Sequence, residues 1–150
     1  VGTKVEITGQ FRSYNNYSGE GSKLILTLFA RDLRFADDCE KCENEIYLNG
    51  YICKPVVYRV TPFGREIADI LVAVNRAYNK SDYIPCIAWG RNAKFVSTLA
   101  VGTNIKIWGR MQSREYQKRI SDEETVTKTA YEVSVSKLEA AKETDSEMDT

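Results

Sequence analysis

The sequence of 150 residues contains no histidine, three prolines, two methionines, two tryptophans and four cysteines. Without an imidazole, a Ser-His or Cys-His nucleophile pair, a histidine general base and a histidine-built metal site are excluded by inventory, which makes the usual hydrolytic chemistries poor candidates. No apolar run approaches the roughly 20 residues that span a bilayer, and no charged stretch followed by a hydrophobic one opens the chain, so neither a membrane segment nor a secretion signal is expected. Cys39, Cys42, Cys53 and Cys86 are too few for a disulfide framework in a chain of this size, which points to a reducing cytoplasm. Cys39-Glu-Lys-Cys42 has metal-like spacing, but with no second pair and no histidine a zinc site is two ligands short. No metal, no cofactor and no catalytic residue is expected; the paired carboxylates Glu66 and Asp69 fall on opposite faces of an alternating strand.

What is present is one ordinary globular domain, 43% apolar and 11% aromatic. Its 21 basic and 21 acidic residues balance overall but not locally. Residues 1–43 carry 6 basic and 7 acidic groups, residues 44–138 carry 14 and 9, and residues 139–150 carry 1 and 5. A basic middle with an acidic end reads as a polyanion-binding domain trailed by a solvated, disordered tail over 139–150.

Period-two patterning and β-branched residues predict strands over Lys4–Arg12, Lys23–Arg31, Glu45–Cys53, Arg65–Tyr78, Asp82–Trp89, Asn104–Ser113 and Thr127–Ser136. One short helix is predicted between Asn92, as its cap, and Gly102, as its stop, with Phe95, Val96 and Leu99 on one face. Thr61-Pro-Phe-Gly64 is a turn sequence, Tyr14–Gly21 a polar loop, and the charged stretches 37–44 and 121–124 have no apolar period. Three strands, a helix and two strands after residue 44 give the count and order of a five-stranded Greek-key barrel of the OB type, although composition alone also allows a sandwich. Residues 1–43 read as an additional hairpin packed on that barrel; Val5–Gly9 weakly parallels Ile46–Gly50, and Gly21–Arg31 parallels Gly64–Arg76.

The strand from Asp82 carries the most information. Alternation puts Ile84, Cys86 and Ala88 on one face and Tyr83, Ile87, Trp89 and Arg91 on the other, with Pro85 marking an edge or a bulge. Arg76 and Tyr78 share a face of the preceding strand, and Arg110 and Gln112 lead into Arg114, Tyr116, Lys118 and Arg119. Rings interleaved with cations along extended segments suit a flexible nucleic-acid strand, because bases stack on rings while cations follow phosphates, and a duplex exposes no base faces. Packing alone also places Tyr and Trp on half-buried strands, so each residue singly is equally a structural one. On the strand from Asn104, Ile105 and Ile107 point inward and leave Lys106 and Trp108 outward as a possible assembly surface or a seat for the hairpin.

Asn44–Gly50, Thr61–Arg76, Tyr83–Arg91 and Gly109–Tyr116 together resemble the bacterial single-stranded-DNA-binding protein family, in family order, over residues 44–138. The glycine ending the first strand, the Pro-Phe-Gly turn, Ala-Val-Asn-Arg, Trp-Gly-Arg and Gly-Arg-Met-Gln-Ser-Arg-Glu-Tyr carry the likeness. The resemblance implies an OB fold that binds single-stranded DNA largely without sequence preference, in replication, recombination and repair in a bacterial or phage cytoplasm, assembling as a dimer or tetramer. It implies base stacking by Tyr78, Tyr83, Trp89 and Tyr116, and backbone contacts from Arg76, Arg91, Arg110 and Arg114; Lys80 and Lys118 extend the same basic track. The arm between Tyr78 and Tyr83 is shorter than usual in the family, the acidic tail lacks the Pro-Phe tip that recruits replication and repair proteins, and residues 1–43 have no counterpart in single-domain members. An alternative of another class is an OB module of the kind that assembles primosomes, docking a protein partner through Trp108 and the hairpin.

Overall fold

The computed structural model describes residues 1–17, 22–36 and 43–141. Cys39, Cys42 and most of the expected acidic tail lie outside the described residues. The elements follow in the order β1 (Val5–Tyr17), β2 (Ser22–Phe35), β3 (Ile46–Ile52), β4 (Val57–Val60), β5 (Glu66–Arg76), β6 (Lys80–Trp89), α1 (Gly90–Ser97), β7 (Asn104–Arg119) and β8 (Thr125–Ala140).

The strands β3-β7-β8-β6-β5-β4 form one sheet, and it closes because β3 also pairs with β5 through Tyr51↔Ala73 and Ile52↔Val72. Five strands therefore make a barrel, with β4 added outside β5. Among the described residues only the β6–β8 pairing is parallel, at Cys86↔Val133 and Ile87↔Ser134. The N-terminal hairpin β1–β2 forms a sheet of its own beside the barrel. This is the architecture the sequence predicts.

Alternation sorts the core as expected. Ile84, Cys86 and Ala88 of β6 and Ile105 and Ile107 of β7 are buried, with Ile52, Val72 and Val133 from the other strands. The long β7–β8 ladder runs past the apolar stretches, because each backbone pair added to an existing antiparallel register makes its own hydrogen bonds whatever the side chains. Residues 121–124, read from sequence as an irregular charged segment, form the tight turn of that hairpin: Ser121 and Ile120 donate backbone N–H bonds to the Glu124 carbonyl, and the Glu124 N–H donates to Ser121 Oγ at 3.2 Å.

The structure departs from the sequence reading at several boundaries. Strand β1 continues to Tyr17 where a loop from Tyr14 was expected. Strand β4 was not anticipated; the Thr61–Arg65 turn, with Gly64 at φ 83°, folds it back on β5. The helix starts at Gly90, two residues ahead of Asn92, and no side chain caps it; Asn92 Nδ2 reaches the Ser136 carbonyl at 3.5 Å instead. Ala93 and Val96 are its buried residues, and Phe95 turns outward. Ile87, placed outward by alternation, is buried, since at this point β6 is flanked by both β5 and β8. The register runs through Leu71↔Pro85 without a bulge, and β8 joins β6 only after Pro85, so this residue sits on the edge side.

One buried charge ties the hairpin to the barrel. Asp82 lies on the core face of β6 and is fully buried. Its Oδ1 accepts the backbone N–H of Ser13 at 3.0 Å, and its Oδ2 lies 2.6 Å from Nε of Arg76, a charge contact whose angle falls outside hydrogen-bond geometry. Ser13 Oγ in turn accepts the N–H of Tyr83 at 2.7 Å. A buried carboxylate survives only when paired and hydrogen-bonded, so Arg76 and the hairpin backbone together compensate it. Replacing Arg76 by Ala should therefore destabilise the fold by about 3 to 5 kcal/mol, the usual cost of stranding a buried charge, read as a lowered urea midpoint. An Asp82→Asn change in the same background should recover part of the loss.

Candidate nucleic-acid interface

The register fixes which side chains share the outer face. On β6 these are Tyr83, Pro85, Ile87 and Trp89; β8 adds Ser134 beside Ile87, and Glu132, Ala130 and Lys128 further along. On β7, Arg110 lies opposite Ser134, Gln112 opposite Glu132, Arg114 opposite Ala130 and Tyr116 opposite Lys128. Two aromatic residues of β6 and the cation-rich run of β7 thus lie on one continuous surface, with β8 between them.

At one end of this surface Trp89, Arg91, Asn92, Phe95 and Ser136 line an open cleft of about 540 Å³. The Arg65 guanidinium stacks over the Trp89 ring with its carbon 4.7 Å from the ring centroid. Arg65 escaped the sequence reading, although its pairing with the β6 end follows from the turn that precedes β5. Tyr83 and Tyr116 are about two-fifths exposed. Tyr78 departs from its expected place: β5 ends at Arg76, and Tyr78 with Asn79 occupies the β5–β6 turn at φ 64° and 57°. It projects 93% exposed from the tip, and the residue across from Tyr83 is Ala73.

The cations divide into free and committed ones. Arg91, Arg110, Lys80 and Lys118 are exposed and form no ion pair among the described residues. Arg76 does not share the outer face; it points to the core side and is held by Asp82. Arg114 is exposed but bound, its Nε donating to Glu132 Oε1 at 2.7 Å, and Gln112 Nε2 donates to the same oxygen at 3.0 Å. That hydrogen bond pushes the Arg114 guanidinium further up from an already high value. Glu132 is thus a nearly buried negative charge in the middle of a basic surface, a feature that the alternation of β8 alone did not reveal.

Lys106 and Trp108, the expected assembly surface, continue the outward face of β7 from Arg110 towards β3. Trp108 pairs with Tyr47 across β3–β7, ring centroids 5.1 Å apart, and Lys137 Nζ sits 4.9 Å over the indole. Neither contact involves the hairpin. Among the described residues there is no group of three or more His, Cys, Asp or Glu placed to hold a metal, and no helix long and apolar enough to cross a membrane.

A closed five-stranded barrel with a helix between its third and fourth long strands defines an OB-fold protein. The model of the single-strand binding protein family matches residues 43–141, and the chain belongs to that family. It is 33% identical over 96 residues to single-stranded DNA-binding protein A of Bacillus subtilis, covering 59% of this chain and 56% of that one. It is 34% identical over 83 residues to single-stranded DNA-binding protein 1 of Staphylococcus aureus, covering 51% and 50%. The chain therefore spans about half the length of the curated relatives it matches. A crystal structure of a deletion mutant of the single-stranded DNA binding protein from Thermus aquaticus superposes with a TM-score of 0.72 at 19% identity, covering 93% of this chain and 60% of that one. That coverage exceeds the barrel, so the shared fold includes the hairpin.

Below the interface Cys86 is fully buried, and burial, reinforced by the nearby Glu132 charge, pushes its thiol well above the usual range. The reactive species is the thiolate. Cys86 should therefore resist alkylation by iodoacetamide at pH 8 in the folded protein and react once urea unfolds it, as peptide mass mapping would show.

Proposed function

We propose that the outer face of β6, β8 and β7 binds single-stranded DNA with little sequence preference, in replication, recombination and repair. The observation that carries this reading is the β6–β8–β7 register, which supports one track of Trp89, Tyr83 and Tyr116 with Arg91, Arg110 and Lys118. Bases stack on the rings and phosphates meet the cations, which gives affinity without base readout. Tyr78 and Lys80, at the tip of the β5–β6 turn, extend the track beyond the barrel wall. Arg114 contributes a charge already shared with Glu132, and Arg76 acts through Asp82 by fixing the root of that turn. Nothing in this scheme transfers a group, so the protein is a binder, working in a bacterial or phage cytoplasm, and its partners are the DNA strand and further copies of itself in a dimer or tetramer.

Titration with poly-dT should quench Trp89 fluorescence, and log affinity should fall against log salt with a slope of about −3, since four unpaired cations contribute about 0.7 each. Absence of quenching at low salt sinks the reading. Trp89→Ala should weaken binding by about 1 to 3 kcal/mol with an unchanged circular dichroism spectrum. Glu132→Gln removes a negative charge from the track and frees Arg114. Its affinity should rise and its salt slope steepen by about 0.7; a weaker, flatter response would mean that Arg114 needs Glu132 to hold its position.

A further inference from the structure

The hairpin β1–β2 repeats β7–β8 rather than the strands that the sequence suggested. At an offset of 100, residues 1–13 and 101–113 are identical at six of thirteen positions: Val1, Gly2, Thr3, Ile7, Gly9 and Ser13. The backbone agrees. Gly2 and Gly102 have φ of 89° and 94°. Both ladders shift register after the eighth position, between Thr8 and Gly9 and between Trp108 and Gly109. In each the extra residue lies on the second strand, Arg31 in one and Ser136 in the other. A Cβ on Gly9 would meet the Phe29 carbonyl, as one on Gly109 would meet the Ser134 carbonyl. A bulge opposite the equivalent glycine, with the extra residue at the equivalent place of the second strand, is a structural signature rather than a chance likeness.

The two hairpins differ in what covers them. Ile105 and Ile107 are 0% exposed, beneath the other strands and the helix of the barrel, whereas their counterparts Val5 and Ile7 are 41% and 40% exposed. Through the shared register, Leu28, Leu33 and Phe35 occupy the places of Val133, Leu138 and Ala140, and all three are exposed. Only the distal end of this face, at Phe11 and Leu26, leans on the barrel. The rest opens on a cleft of about 630 Å³ whose far wall includes Ile46, Tyr47 and Met111. An apolar face this continuous marks an interface. The superposable Thermus aquaticus chain, of which 60% is matched by hairpin and barrel together, continues beyond them.

We propose that β1 and β2 are the closing hairpin of a second OB barrel, and that the occupant of their apolar face is the half-barrel such a fold needs: three strands and a helix patterned like residues 46–97. The proposal does not depend on nucleic-acid binding. The changes between the two sets, Val5 for Ile105, Leu28 for Val133 and Phe35 for Ala140, keep every position apolar, and the smaller Val5 faces the larger Phe35 across the ladder.

Joining a second copy of residues 44–100 ahead of Val1 reproduces the Ala100–Val101 connection and supplies that half. In the fused chain, amide exchange at Ile7 and Leu33 should slow by about a hundredfold relative to the 150-residue chain, towards the values of Ile107 and Leu138. The 150-residue chain should bind a hydrophobic dye, lose it on Ile7→Ser with Leu33→Ser, and release it in the fusion. The proposal is overturned if the added segment stays unprotected while the barrel over 46–140 remains folded, or if the 150-residue chain binds no dye. It is equally overturned if that chain sediments as a dimer that Leu33→Glu dissociates, since the occupant would then be a second copy.

Discussion

Barrel closure depends on a few residues of β3. Around Gly50 the strand leaves β7 and takes up pairing with β5, so that Gly50 faces Ile105 on one side and Tyr51 faces Ala73 on the other. A side chain at Gly50 would collide with the Ala73 carbonyl, and only a residue without Cβ lets the two backbones come this close. With β3 bridging β7 and β5, the five strands have an inside and an outside, and period-two alternation along each becomes a rule for the whole domain. The isoleucines and valines on the inner face then exclude water, and aromatic and basic side chains on the outer face are presented together.

The outer face is electrostatically mixed rather than uniformly basic. Arg114 and Gln112 converge on Glu132, and Arg59 lies 3.3 Å from Asp69 at the far side of the same sheet. Such pairing fixes the planes of long side chains that would otherwise sample many rotamers, at the cost of some attraction for phosphate. The unpaired cations at Arg91, Arg110 and Lys118 retain full charge for a polyanion. This division between positioned and available cations, rather than net charge, sets how steeply binding would respond to salt.

Asp82 links the hairpin to the barrel. It holds the hairpin by Ser13, the barrel by Arg76 and, through Ser13 Oγ, the N–H of Tyr83. The hairpin thus touches the root of the strand that carries Tyr83 and Trp89. Its own apolar face, so similar in pattern to that of β7–β8, is left half uncovered, and the contrast shows that a core is defined by what packs on a face as much as by the face itself.

Much of this protein was legible in the sequence because period-two patterns, turn residues and a single helical segment are local signals. The five barrel strands after residue 44, the inward set Ile84, Cys86 and Ala88, and the outward set Tyr83 and Trp89 follow from alternation, whereas β4 does not. Local signals do not report partners across the sheet. That Arg76 turns to a buried Asp82, that Arg114 is shared with Glu132, that Tyr78 sits in a turn and that β7 and β8 extend far beyond their apolar stretches were decided by tertiary packing. The sequence by itself determined which residues can face water. Only the closed barrel decided which charges stand next to one another, because that depends on register between strands up to 63 residues apart in the chain, as Ile46 and Gly109 are.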